Sequence, residues 1–292
     1  MLLIVDGHAY AYRAFHAIRE LSASDGSPTN AIYGFVKMLG RMRAQVRPTH
    51  LVVIWDGGLA AERTACLPGY KAQRPPMPTA LASQLDGIGE YLQAAGIASF
   101  CREGVEADDW IARVARGAVL AGARVVIASS DKDFMQLVTD RIGLLNPNDK
   151  TERIWTAAEV REKTGVEPEQ IVDWLSLIGD SVDNIPGVPG VGPKTATALL
   201  QQFGSVERLY ARLEEVASER VRRNLQAAQG AVLRNQQLVR LREDVGEPFL
   251  LAAASPARED TRRLLELYTR WGFRTLRQEL EARSGPAQGE FL

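Results

Sequence analysis

Three short β-branched, apolar runs, Leu2 to Val5, Leu51 to Ile54 and Arg124 to Ala128, constrain the fold most, because each is continuous rather than alternating. A strand that is apolar on successive residues is covered on both faces, which is the condition of a parallel sheet. Between the runs, in Ala31 to Arg43, Thr79 to Ala95 and Asp108 to Ala121, apolar residues recur every three or four positions, as on amphipathic helices. Alternation of this kind predicts an α/β domain whose ligands bind beyond the carboxyl ends of its strands.

Those ends are acidic. The first run closes in Asp6, the second in Asp56, and the third leads through Ser129 and Ser130 into Asp131-Lys132-Asp133. Glu106, Asp108 and Asp109 stand just before or within the first turn of a helix, where the macrodipole and unbonded N–H groups tolerate negative charge. Asp180 and Asp183 share a face if their segment is helical. Any one of these acids alone reads as a cap or turn residue. Converging together they repel one another, and cations are the natural resolution. Oxygen-only ligands suit Mg²⁺ or Mn²⁺, and two such ions about 4 Å apart can activate a water and stabilise the leaving oxygen of a phosphodiester. Asp109 differs from its neighbour, since adjacent helix positions point about 100° apart, and it reads as a cap or a supporting residue as well as a ligand.

From about Glu167 the pattern becomes helical, interrupted by the Pro/Gly-rich stretch Ile185 to Pro193. Gly187 to Ala196 reads as a tight hairpin delivering a helix, with Pro193 in its first turn. There Gly190 and Gly192 let the backbone approach closely, and free N–H groups with Lys194 and Thr195 can hold a DNA phosphate without reading sequence. An ordinary helix-helix turn is the alternative. A second basic stretch, Leu67 to Pro78, carries Tyr70, Lys71 and Arg74 and follows Arg63. It can gate a cleft and grip single-stranded phosphate, or be a solvated loop.

The 292 residues, 46% hydrophobic and 24% charged, suffice for a large core or a core plus a smaller domain. No run of about 18 apolar residues exists and the first residues turn acidic at Asp6, which predicts a cytoplasmic chain without a membrane span or secretory signal. Cys66 and Cys101 lack metal-ligand spacing and read as reduced structural thiols. With 35 basic against 36 acidic residues the net charge is −1, so any surface for nucleic acid is local.

Val5 to His8, Tyr12 to His16, Trp55-Asp56-Gly57, Tyr70-Lys71 with Arg74 to Pro78, Val105 to Asp109, Ser130 to Asp133 and Gly179-Asp180 through Gly192 to Thr195 together resemble the 5′ nuclease domain of bacterial DNA polymerase I, within the flap endonuclease superfamily. The match is collinear over about residues 1 to 250. The resemblance implies a PIN-like parallel-sheet nuclease domain (1–166) with a helical arch near Lys71 and Arg74. It implies a C-terminal helical helix-three-turn-helix DNA-binding domain (167–255) and a helical extension with a frayed tail (256–292). Two Mg²⁺ ions, replaceable by Mn²⁺, would be held by Asp6, Asp56, Glu106, Asp108, Asp131, Asp133, Asp180 and Asp183, with Asp109 as a further member. Arg13 and Lys71 would stabilise charge at the scissile phosphate, Tyr70 and Arg74 would contact DNA, and backbone carbonyls from Val188 to Val191 would hold K⁺. The implied activity is a structure-specific 5′-3′ exonuclease and flap endonuclease on DNA 5′ ends or flaps, RNA-primed ones included, in primer removal or repair.

Two positions depart from the family pattern: Trp55 and Glu62 stand where phenylalanines are usual, and Glu62 beside Arg63 weakens the phosphate contact expected of that arginine. About forty residues follow Pro248, too few for a polymerase domain, which predicts an enzyme that stands alone or meets a DNA polymerase as a separate chain; nothing in the sequence suggests more than a monomer. Two rival readings share some features. A PIN-type ribonuclease would not need the helical region or its hairpin, and a metal-free DNA-junction binder would not need the full set of acids.

Overall fold

The computed structural model describes residues 1–151 and 153–284, so the tail expected after Ser284 lies outside the described residues. In chain order the strands are β1 (Leu2–Asp6), β2 (His50–Trp55), β3 (Ala98–Cys101), β4 (Val125–Ala128), β5 (Ile142–Leu145), β6 (Ile154–Trp155), β7 (Gly179–Asp180) and β8 (Ile185–Pro186). The helices are α1 (Gly7–Ala17), α2 (Asn30–Val46), α3 (Ala61–Cys66), α4 (Thr79–Ala94), α5 (Ala107–Leu120) and α6 (Ala157–Thr164). They continue with α7 (Ile171–Ile178), α8 (Pro193–Phe203), α9 (Val206–Ala211), α10 (Glu219–Val239), α11 (Thr261–Arg270) and α12 (Arg274–Ser284). The chain forms two compact units: 1–55 with 77–101 and the segment from Leu250, and 56–76 with 102–249.

In the first unit β2 lies between β1 and β3, all parallel, with Ile4 opposite Val52 and Val52 opposite Ala98. Leu2 to Val5 are fully buried, each worth about 1.5–3 kcal/mol in removed apolar surface. Helices α1 and α2 approach through small residues; a Cβ on Gly34 would lie 2.9 Å from Ala14 Cβ. A buried amide pair fixes their junction. Asn30 Nδ2 donates to the Phe15 and Ile18 carbonyls at the end of α1, while Gln84 of α4 accepts from the Ala31 and Ile32 amides and donates to Asn30 Oδ1. These bonds satisfy helix-end groups that burial would otherwise leave unpaired. The C-terminal segment returns to this unit: Ala257 and Asp260 amides donate to the Gly96 and Ala94 carbonyls, and Arg263 and Arg270 of α11 both pair with Glu90 of α4.

In the second unit β4 and β5 are parallel and β6 joins β5 antiparallel, so the sheet is mostly rather than wholly parallel. Helix α6 begins with a capping box in which Thr156 and Glu159 exchange bonds, and α5 packs its apolar face inward. The region beyond Glu167 is not purely helical: β7 and β8 form a two-stranded antiparallel pair between α7 and α8. Gly179, at φ +74°, ends α7, and a Cβ there would lie 2.3 Å from the Gly187 nitrogen. Only a residue without a side chain permits that approach.

Candidate active site

Eight of the acidic candidates, Asp56, Glu106, Asp108, Asp109, Asp131, Asp133, Asp180 and Asp183, belong to the second unit. Asp6 and Arg13 belong to the first, where Asp6 ends β1 and caps α1 by accepting from the Ala9 amide at 3.1 Å, and Arg13 is exposed on α1.

Asp56 is anchored by the glycine after it. The Gly57 amide donates to the Val105 carbonyl and its own carbonyl accepts from Gly104, while a Cβ on Gly57 would lie 1.6 Å from the Arg102 carbonyl oxygen. This clamp ties the Asp56 turn to the loop that delivers Glu106. Glu106 precedes α5, is 1% exposed, and accepts from the Ala60 amide (3.0 Å), Tyr70 Oη (3.0 Å) and Lys71 Nζ (2.6 Å).

Lys71 is the cation at the heart of the acids. Its Nζ stands 3.8 Å from Asp108 Oδ2 and 3.9 Å from Asp183 Oδ2, besides the Glu106 contact. Burial alone would disfavour its charge, but Asp108, Asp183 and Glu106 outweigh burial and raise its proton affinity. Burial likewise opposes ionisation of Glu106, yet Lys71 and Arg63 hold that carboxyl below its ordinary value. The Tyr70 hydroxyl is pushed well up by burial and then by Glu106 and Asp183, so it serves as a neutral donor. Backbone geometry fixes the arrangement: Lys71 (φ +53°) and Asn184 (φ +57°) both adopt the left-handed conformation. The Lys71 amide donates to the Asp183 carbonyl, and Asn184 Nδ2 donates to the Gly69 carbonyl at 2.7 Å. Two such residues cost on the order of 1–3 kcal/mol each, which the stitched turns offset.

Of the two readings of the basic stretch, the solvated loop is not what the structure shows. No helix spans residues 67–78; Lys71 and Arg74 lie in turns between α3, which ends at Cys66, and α4, which begins at Thr79. Pro68, Pro75, Pro76 and Pro78 remove helix donors, and the acids draw Tyr70 and Lys71 into burial rather than leaving a solvated loop. Arg74 is partly exposed and donates to Asp183 Oδ1 at 2.6 Å. Asp180 and Asp183 do not share a helix face; they flank the turn between β7 and β8, where Asp180 Oδ1 accepts from the Val182 amide and Oδ2 lies 3.1 Å from Lys132 Nζ.

Asp131 follows β4 and accepts from the Asp133 amide at 2.9 Å. Burial, opposed in part by that amide, raises its proton affinity, and Asp183 and Asp180 add to the rise. Asp133 is raised further, by burial and by the charges of Asp131, Asp108, Asp180 and Asp183, and its Oδ1 is buried without a hydrogen-bond partner. Among the described residues no trio of acid, histidine or cysteine ligands closes on a common point as a metal shell would; the Lys71 ammonium takes the place of a cation there. An orphaned carboxylate oxygen amid four like charges, with an ammonium already drawn in, is a donor set that suits a hard divalent cation. Asp109 has other partners: Oδ1 accepts from Arg63 and the Arg242 amide, and Oδ2 from Arg63.

At the hairpin, Gly190 adopts φ +76° and a Cβ there would lie 3.1 Å from Arg220 Nη2. Gly192, Pro193 and Lys194 are exposed, with Pro193 opening α8, and Thr195 is half-buried. Val188 and Val191 bury their side chains; the Val188 carbonyl accepts from the Val191 amide and the Pro189 carbonyl from Asn224 Nδ2.

A family model described as 5′-3′ exonuclease, N-terminal resolvase-like domain, matches residues 1–165, and one described as 5′-3′ exonuclease, C-terminal SAM fold, matches residues 166–262. This chain belongs to the 5′-3′ exonuclease family. Within that family it is 44% identical over 218 residues to a 5′-3′ exonuclease of Aquifex aeolicus, covering 75% of each chain. It is 36% identical over 289 residues to DNA polymerase I of Bacillus subtilis, covering 98% of this chain and 33% of that relative. Thus it spans about a third of the length of the polymerase relatives. A bacteriophage T5 5′-exonuclease structure with bound zinc matches with a TM-score of 0.66 at 26% identity, over 92% of this chain and 99% of that one. The α/β class and helical C-terminal fold agree with these matches. No helix among the described residues is long and apolar enough to cross a membrane.

Lys132 and Asn184 hold Asp180 and the Gly69 turn without any role evident in the sequence motifs that contain them; their position next to acids is the one signal for them. Arg63 does not make the phosphate contact expected of it. Arg63 is buried against Asp109, and Glu62 pairs instead with Arg242.

Proposed function

We propose that this chain is a structure-specific 5′ nuclease that hydrolyses DNA phosphodiester bonds at 5′ ends and 5′ flaps with two divalent cations. The observation that carries the reading is the orphaned Asp133 Oδ1 beside Asp131, Asp108, Asp180 and Asp183, with the Lys71 ammonium drawn in among the acids. Asp56, Glu106, Asp108, Asp131, Asp133, Asp180 and Asp183 would hold the ions. Asp6 and Arg13 are assigned to the same chemistry on their motif positions. Bound Mg²⁺, with Mn²⁺ as substitute, would supply the charge that activates a water and stabilises the departing oxygen.

The chain's own residues do the rest. Gly190, Gly192, Lys194 and Thr195 offer backbone N–H groups and charge to duplex phosphates, with K⁺ at the carbonyls from Val188 to Val191 as an aid. Arg74, partly exposed, meets the 5′ strand as its terminal nucleotides unpair, while the expected strand contact of Tyr70 gives way to a buried bond to Glu106. Lys71 Nζ, already polarised by Glu106, and Arg13 stabilise charge on the phosphate. Water oxygen bonds to phosphorus as the P–O3′ bond breaks, leaving a 5′-phosphate and a 3′-hydroxyl. The domain reading is a nuclease region over 1–166, a DNA-gripping region over 167–255 and a C-terminal helical extension from 256. In this reading the enzyme trims DNA or RNA-primed 5′ ends in primer removal or repair, acting as a monomer beside a separate polymerase.

A labelled 5′-flap duplex and a matching single-stranded RNA, each incubated with Mg²⁺ and with chelator, test the reading. Metal-dependent cuts near the flap junction are expected. Cleavage of RNA alone would replace it with a ribonuclease, and flap binding without cutting would replace it with a junction binder.

A further inference from the structure

Arg63 donates four hydrogen bonds and makes a further ion pair within the second unit. Nε donates to the Leu238 carbonyl (2.9 Å), and Nη1 donates to Asp109 Oδ2 (2.7 Å) while standing 3.3 Å from Glu106 Oε2. Nη2 donates to Asp109 Oδ1 (2.7 Å) and to the Arg240 carbonyl (3.0 Å). The residue is 6% exposed and its guanidinium is committed to protein acceptors. It does touch, at once, two acids at the start of α5 and the end of α10.

The Leu238 and Arg240 carbonyls are among those a helix leaves without partners at its C-terminus, and a cation there also complements the helix dipole. α10 is braced elsewhere by side chains that reach α7 and the hairpin region. Asn224 Nδ2 donates to the Pro189 carbonyl, Asn235 Nδ2 to the Ser176 and Pro186 carbonyls, and Gln236 Nε2 to Asp173 Oδ1. Its 21 residues give a rod of roughly 31 Å at 1.5 Å per residue.

We infer that Arg63 is a positioning residue for the divalent-metal site: it fixes Glu106 and Asp109 beside the acid cluster and docks them onto the end of the helix that braces the glycine hairpin. The inference rests on the nuclease reading above. A planar fork with five donors satisfies four acceptor groups at once, and the three-donor ammonium of lysine does not reproduce it.

Arg63→Lys keeps the charge and removes the fork. Mn²⁺ affinity, measured by calorimetry without DNA, is expected to weaken about tenfold, and the Mg²⁺ concentration that half-saturates single-turnover flap cleavage to rise about as much. Saturating Mg²⁺ should restore most of the rate, and circular dichroism should remain native. An unchanged Mn²⁺ affinity and Mg²⁺ midpoint, even with a lowered Tm, would reduce Arg63 to a packing residue. Should Arg63→Lys fail to fold, Arg63→Ala is titrated with Mn²⁺ in methylguanidinium. Recovery of fold and affinity together supports positioning; recovery of fold alone overturns it. A wild-type chain that bound Mn²⁺ without cutting DNA would sink the nuclease reading alone, and one that bound no Mn²⁺ would sink the positioning role.

Discussion

Lys71 Nζ lies 2.6 Å from Glu106 Oε2, and both side chains are 1% exposed. A buried pair of this kind costs more to break than it contributes as a whole, because the remaining partner keeps its desolvation penalty. Lys71→Met should therefore destabilise the metal-free protein by about 3 kcal/mol in urea unfolding. Added Mg²⁺ should recover much of that loss, since the divalent ion replaces the missing positive charge. Single-turnover cleavage should still fall by about 10²–10³-fold at saturating Mg²⁺.

Asp133 gives a pH dependence whose sign is fixed by its neighbours. Burial and the surrounding acids raise its folded proton affinity above the unfolded value. Between those two values the folded state binds the extra proton, so metal-free stability falls as pH rises through the folded pKa. Asp133→Asn should flatten that fall in thermal melts recorded in chelator, while abolishing flap cleavage in Mg²⁺. A variant that melted with the wild-type pH profile would contradict the assignment.

Gly57→Ala places a methyl group where the Arg102 carbonyl already stands, 1.6 Å from the ideal Cβ. Backbone lines that gap, so no side-chain rotation relieves it. Destabilisation of about 3 kcal/mol or more is expected by urea titration, with cleavage falling further than stability because Asp56 moves with the turn.

Lys194→Ala tests the hairpin separately from the chemistry. Its side chain is exposed at the start of α8, so the fold should be untouched. Flap affinity measured in Ca²⁺ should drop equally for unrelated sequences, and the slope of log affinity against log salt should shrink by about one. Single-turnover rates at saturating enzyme should be near wild type.

The strands Leu2–Asp6, His50–Trp55 and Val125–Ala128 were legible because their apolar runs are continuous, and the acids at their ends were legible with them. β3 was not: its four residues alternate between half-buried and exposed. β5 carries Gly143, against which Ile154 packs, and a short run broken by glycine carries little strand signal. The spacing of Asp180 and Asp183 suggested a helix because nothing local marks Asn184 as a left-handed residue. Lys71 looked solvated because the acids that make its burial favourable come from distant stretches. Arg63 was illegible for the same reason, its hydrogen-bond acceptors and its ion-pair partner Glu106 lying 43 to 177 residues away.

The return of the segment from Leu250 to the first unit sets an order of synthesis. Its short helical turn at Leu251–Ala254 packs on β2, and Gly96 has no room for a Cβ against the Ala257 carbonyl oxygen, 2.4 Å away. A ribosome releases β2 before 102–249, yet the turn that packs on it is translated after all of those residues. Domains usually mature from the N-terminus as they emerge. Here β2 waits for a segment made after 102–249, and a ribosome stalled near Phe249 would hold a finished second unit and an unfinished first one.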